Sequence, residues 1–161
     1  MVSRKLLIAI SIAVVVVAVV AVGLWMLLGL EPPVDVYARA TPSSTAEPES
    51  LLPSSVAGMA RIDMETNDYT DAVDAVGIYE GDIRIEITRF DLVGDATGYV
   101  DDLYEDLSGG SMAHVSTGDQ HWFTHSVSAQ SVFVWRKGIW VFEVSAPTET
   151  LRNNVVEELN F

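Results

Sequence analysis

The sequence predicts an α+β domain, an antiparallel sheet built from two strand–strand–helix units with helices packed on it, preceded by one transmembrane helix. Three observations carry this. An uncharged apolar run of 25 residues spans Leu6–Leu30; Ile83, Ile85 and Ile87 alternate with Arg84, Glu86 and Thr88; and two apolar stripes, Ala96/Val100/Leu103/Leu107 and Leu151/Val155/Leu159, repeat at helical spacing. Period-two alternation marks a half-buried strand, and recurrence at i, i+4 and i+7 marks an amphipathic helix.

The apolar run would be about 37 Å long as a helix, enough to cross a hydrocarbon core of about 30 Å with some tilt. Only a helix satisfies its own backbone in lipid, which overrides the poor helix propensity of Val14–Val17. A cleaved signal peptide is the competing reading, with Ala21-Val22-Gly23 as the place of cleavage. Its apolar region normally runs only about 7–15 residues, and Trp25 sits where an interfacial aromatic belongs. Arg4 and Lys5 precede the run while Glu31 and Asp35 follow it, so residues 1–5 are expected in the cytoplasm and residues 31–161 outside the cell membrane.

Residues 31–50 read as a linker. Pro32, Pro33, Pro42 and Pro48 punctuate a Ser/Thr/Ala/Glu background without apolar periodicity. The extracytoplasmic domain then runs from 51 to 161. Val73–Tyr79 and the Ile83 strand flank Glu80-Gly81-Asp82, a hairpin loop. Asp95 suits the N-cap of the helix that follows, and Gly109-Gly110 its end. Trp122–Ala129 reads as a strand, Val132–Trp135 pairs with Ile139–Val144 across a turn at Gly138, and Pro147 and Glu149 suit the first turn of a closing helix. If that last hairpin has a two-residue loop, Trp135 lies opposite Trp140; with three, opposite Ile139.

Leu51-Leu52-Pro53 with Gly58, Ile87-Thr-Arg-Phe-Asp91 and Gly138-Ile-Trp-Val-Phe-Glu-Val-Ser-Ala-Pro147 together resemble uncharacterised extracytoplasmic domains found mainly in archaea, often behind one transmembrane helix. The resemblance covers roughly 51–161. It implies a membrane-anchored α+β fold and carries no catalytic residues.

Beyond residue 30 stand seven Lys and Arg against 23 Asp and Glu, a formal charge of −16. Such a surface repels nucleic acid and anionic headgroups, which excludes both as partners. Few lysines beside many carboxylates suit strong salt, where screening quiets self-repulsion. With no cysteine there is no disulfide and no cysteine chemistry.

Asp63, Glu65, Asn67, Asp71 and Asp74 fall at positions 1, 3, 5, 9 and 12 of a calcium loop. They are the calcium candidate, but Asp68 stands where the turn needs glycine and Asp74 where a bidentate Glu belongs, so a solvated acidic loop is the stronger reading. His121 and His125 on one strand stand about 13 Å apart, too far to share a metal, and with His114 they read as exposed or edge-strand histidines. No hydrolase elbow, P-loop or dinucleotide fingerprint is present, so neither enzyme activity nor a cofactor is expected. Trp122, Trp135, Trp140 and Phe142 crowd adjacent strands and make the candidate partner surface, against a two-sided core.

The function expected is therefore a membrane-anchored extracytoplasmic interaction domain, held in the bilayer through Leu6–Leu30 and meeting a protein partner at the cell envelope. A solute- or calcium-binding module is the alternative, and a hydrolase without a recognisable motif the third. A reporter that works only outside the cytoplasm should be active when fused after Phe161 and silent when fused before Met1. Moving the positive charge from Arg4 and Lys5 to the Glu31 side should weaken or invert that pattern. Activity of the N-terminal fusion in the unaltered chain reverses the topology.

Overall fold

The computed structural model describes residues 32–107, 111–127 and 129–161, with 111 and 112 described by backbone alone. The run 6–30 and Gly109-Gly110 lie outside the described residues. Among the described residues no helix is long and apolar enough to cross a membrane.

The described residues form one eight-stranded antiparallel sheet with three helices. In order these are α1 (Pro48–Leu51), β1 (Ser55–Val56), β2 (Met59–Asp68), β3 (Ala72–Tyr79), β4 (Ile83–Phe90), α2 (Val93–Asp106), β5 (Ser111–Thr117), β6 (Gln120–Val127), β7 (Gln130–Lys137), β8 (Trp140–Ala146) and α3 (Glu149–Glu158). Spatial order is β1-β2-β3-β4-β8-β7-β6-β5. Two meanders therefore meet where β4 pairs with β8, and α2 crosses from one to the other.

This corrects the expectation of an α+β domain made of two strand–strand–helix units: the sheet dominates, and each unit is a meander, β1–β4 and β5–β8. The reason lies at the edges. Ile62–Asp68 of β2 is exposed throughout, and β5 is the outer strand at the opposite end. A strand wetted on both faces needs no alternation, so its sequence carries none.

The central strands are apolar on both faces and are covered on both. One face carries Ile83, Ile85, Ile87, Trp122, Phe133, Trp135, Trp140, Phe142 and Val144, against which α3 packs Val155 and Val156. Thr148 caps α3 by accepting from Leu151 N at 3.2 Å, and Phe161 stacks on Phe142 at 4.8 Å. The other face carries Phe123, Val132, Val134 and Val141 beneath Ala96 and Val100 of α2. The helical stripes are thus as expected, but they lie on opposite sides of the sheet.

The last hairpin departs from both expected registers. Trp135 lies opposite Phe142, because the strands continue to the pair Lys137–Trp140 and the loop is Gly138-Ile139. Arg136 and Lys137 fall between the expected strand end at Trp135 and the turn at Gly138, yet both are buried strand residues. Lys137 Nζ donates to Val36 O at 3.2 Å and to Arg39 O, carbonyls supplied by the segment before α1.

That segment keeps the irregular backbone its prolines predict, but it is not a free spacer. Val36 is fully buried and Val34 and Leu52 nearly so, with Tyr37, Ala46 and Leu51 packed beside them on the tryptophan face. Arg39 donates to Val156 O and Leu159 O at the end of α3, Arg89 to Ala46 O at 2.6 Å and Arg61 to Leu52 O at 2.9 Å. A fragment beginning at Glu49 would lose two core valines, each worth about 1.5–3 kcal/mol, together with the carbonyls that Lys137 bonds, and would uncover that side chain and the tryptophan face beside it. It should show a denaturation midpoint lower by more than about 3 kcal/mol equivalent, at similar slope, than a fragment beginning at Pro32. Equal midpoints would mean that the segment contributes nothing.

Candidate functional site

The residues that the sequence singles out do not gather in one place. Trp122, Trp135, Trp140 and Phe142 are at most 1% exposed, so they are core and not a partner surface. Their cover is the expected closing helix α3 together with the segment 32–52, which reads in the sequence as a linker. Trp135 stacks on Phe133 and Phe142 at 5.0 and 5.1 Å, and the three indole N–H groups have no hydrogen-bond acceptor among the described residues. Packing alone holds the stack.

The calcium candidate is likewise corrected. Asp63, Glu65 and Asn67 lie along β2 and Asp74 on β3, with Asp63 opposite Ile78 and Asn67 opposite Asp74. A ladder stretches these groups along two strands and cannot wrap them round one ion. Asp74 Oδ1 instead accepts from Asn67 N at 3.1 Å and Asn67 Nδ2 at 2.9 Å.

Two members of that set do share a site. Asp71 and Asp74 line a cleft of about 280 Å³ with Tyr69, Ala72, Glu86, Thr88, Phe90 and Tyr99. Alternation along β3 and β4 turns Asp74, Glu86, Thr88 and Phe90 to the α2 side of the sheet. The tight turn after β2 brings Tyr69 over them, where its hydroxyl lies 3.4 Å from Asp74 Oδ2. Tyr99 descends from α2 and meets Phe90 at 5.4 Å, tilted by 47°. The result is three carboxylates among three aromatic rings.

The charge around the cleft is one-sided. Glu86 lies directly opposite Glu143 across the β4–β8 ladder, a like-charge pairing that costs stability. Arg84 bridges them, with Nη2 2.5 Å from Glu86 and Nη1 3.4 Å from Glu143. One guanidinium thus serves two carboxylates, and Asp71 and Asp74 have no cation beside them in this set. Burial first, then Glu86, pushes the Glu143 carboxyl up to about 7 against the opposing pull of Arg84. Burial and the same carboxylates hold the Tyr99 phenol well above its usual range, and Asp74 above all raises that of Tyr69.

The histidines are not exposed. His121 is 2% and His125 6% exposed, because β5 covers the outer side of β6. They share one face of β6 and do not converge. The residue that does approach His121 is His114, diagonal to it across the β5–β6 hairpin, with ring centroids 5.7 Å apart. Burial first, then Arg136 and His114, lowers the His121 pKa, while Asp101 opposes the shift.

Sequence reasoning missed Tyr69, Glu86 and Tyr99, which come from a turn, a strand and a helix with no common spacing. One signal was available: Glu143 stands alone inside the apolar run Trp140-Val-Phe-Glu-Val-Ser-Ala146. A carboxyl in a doubly buried strand needs a partner, and its partner marks the site.

No family model matches the chain, and no curated protein matches it. Among solved structures, a crystal structure of a GTP binding regulator from Thermotoga maritima is similar at 13% identity and a TM-score of 0.48, covering 74% of this chain and 91% of that one. So distant a likeness carries no argument about function.

Because its folded pKa lies above the value of about 4.5 in the unfolded chain, Glu143 binds a proton more tightly when folded. Its stabilising contribution is complete below pH 4.5 and is lost as pH rises through about 7. Glu143→Gln keeps an acceptor for Arg84 and should be near neutral at pH 5 and stabilising by about 1–2 kcal/mol at pH 8. Thermal melts of both proteins at the two pH values check this. Equal destabilisation at both would show that the Arg84 ion pair outweighs the burial of the charge.

Proposed function

We propose that this chain is a membrane-tethered, extracytoplasmic domain that binds a small organic cation in the cleft between β3, β4 and α2. The observation that carries the reading is the composition of the cleft: Tyr69, Phe90 and Tyr99 supply π-faces, while Asp71, Asp74 and Glu86 supply negative charge. Quaternary and alkyl ammonium groups are recognised by this combination, because the ring quadrupole attracts a weakly hydrated cation and carboxylates add long-range attraction. A cavity of about 280 Å³ suits a small ligand, and the net charge of the chain, −14, repels anionic ones. The placement outside the membrane rests on Leu6–Leu30 and the charge asymmetry around it.

A protein partner at the cell envelope is the second reading. Its support is β2, whose outer edge is unpaired beyond Arg61 among the described residues and whose Ile62 and Met64 are 63% and 41% exposed.

Titration of the full chain in detergent with tetramethylammonium, against sodium at equal ionic strength, tests the cleft. Saturable binding should appear with tetramethylammonium, and Tyr99→Ala and Glu86→Gln should each weaken it about tenfold, the equivalent of 1.4 kcal/mol. Responses identical for the two cations, or unchanged in Tyr99→Ala, would sink the reading.

A further inference from the structure

We propose that Asp101, His114 and His121 form a second site, independent of the cleft, for a divalent transition-metal ion of the zinc class. The three residues come from three elements, α2, β5 and β6. One ligand atom of each lies within 4.8 Å of the other two, and Asp101 Oδ1 is 3.1 Å from His121 Nε2.

The geometry follows from the local fold. A two-residue loop, Gly118-Asp119, joins Thr117 to Gln120, and Gly118 takes the left-handed conformation the turn requires, at φ +56°. The register then places His114 opposite Phe123, and the pleat turns His114, His121 and Phe123 to the side on which α2 lies. Tyr104 of α2 stacks on His114 at 4.1 Å and meets Phe123 edge-on at 5.6 Å, which orients the imidazole. Asp101 stands one turn earlier on the same helix. His121 is fixed by its backbone, which donates to the Tyr37 hydroxyl at 2.9 Å and accepts from it at 3.0 Å.

Hydrogen bonding points to a ligand. The Nε2 atoms of His114 and His121 are both out of reach of solvent and have no hydrogen-bond partner among the described residues. The Asp101 carboxylate approaches His121 Nε2 at 3.1 Å. Buried polar atoms are almost always satisfied, and an ion held between the two imidazoles and the carboxylate would satisfy ring nitrogens that the protein leaves without a partner. Their chemistry selects it: imidazole and carboxylate suit zinc and its neighbours, whereas calcium and magnesium take oxygen ligands.

Zinc ligands at about 2.0–2.1 Å from the ion stand about 3.3 Å from one another in a tetrahedron. Asp101, half exposed, has the freedom to close the remaining distance. Three protein ligands leave a fourth position for water or an exchangeable ligand, the arrangement of zinc sites that stay open. Arg136, across the ladder from His121, opposes a cation, while the acidic surface favours one. His125 lies on the same face, two residues beyond Phe123, and takes no part.

An ion here would tie the crossover helix to the outermost hairpin. The full chain in detergent, stripped with chelator and dialysed against zinc, should retain one zinc per chain that magnesium and calcium do not displace. Cobalt in place of zinc should give the visible d–d bands of a nitrogen- and oxygen-liganded centre. Asp101→Asn and His114→Gln, both at half-buried positions, should keep the melting temperature of the stripped protein and weaken zinc binding at least tenfold. His125→Gln should leave zinc binding as it is. No saturable zinc uptake, or uptake unchanged in both Asp101→Asn and His114→Gln, overturns the proposal, and neither result bears on the cleft.

Discussion

The two-sided apolar character of β7 and β8 constrains everything else in this molecule. A sheet whose middle strands bury side chains above and below cannot be finished by helices on one side. The chain solves this with α2 over one face and α3, the terminal Phe161 and the segment 32–52 over the other. Eight strands are wider than one helix, so α2 leaves part of its face uncovered. That uncovered part holds Asp74, Glu86 and Thr88, and it becomes the cleft.

Few cations are available to hold the cover in place, and they are used in an unusual way. Six of the seven Lys and Arg beyond residue 30, namely Arg39, Arg61, Arg89, Arg136, Lys137 and Arg152, donate to backbone carbonyls. Among the described residues Arg84 alone has carboxylates as its sole partners. Most acidic side chains are therefore left to solvent and salt, and the surface field is governed by screening over about 8 Å at physiological ionic strength. Positive charge here fastens chain to chain, and negative charge keeps the exterior hydrated.

Much of the interior was legible in the sequence. The isoleucines of β4, the run into β8 and the stripes of α2 and α3 obey the periods of half-buried strands and helices, and each forms the element its period implies. The edges were not. Arg61-Ile-Asp-Met-Glu-Thr-Asn-Asp68 is wetted on both faces, so only its carboxylates stand out, and an exposed strand reads like an acidic loop. Lys137 looks like a turn residue because the carbonyls that neutralise its burial lie about a hundred positions away. The sites share this difficulty: His114 and His121 are visible as histidines, but Asp101 joins them only through the packing of α2.

The burial of Lys137 also gives the molecule an unusual chemical surface. Lys5 and Lys137 are the two lysines of the chain, and Lys137 is 6% exposed. The folded body from residue 32 onward therefore offers amine-reactive reagents no exposed lysine side chain. Acylation at Lys137 requires the Val36–Arg39 strip to lift from the sheet, so the rate of that reaction reads out a local opening rather than accessibility in the native state.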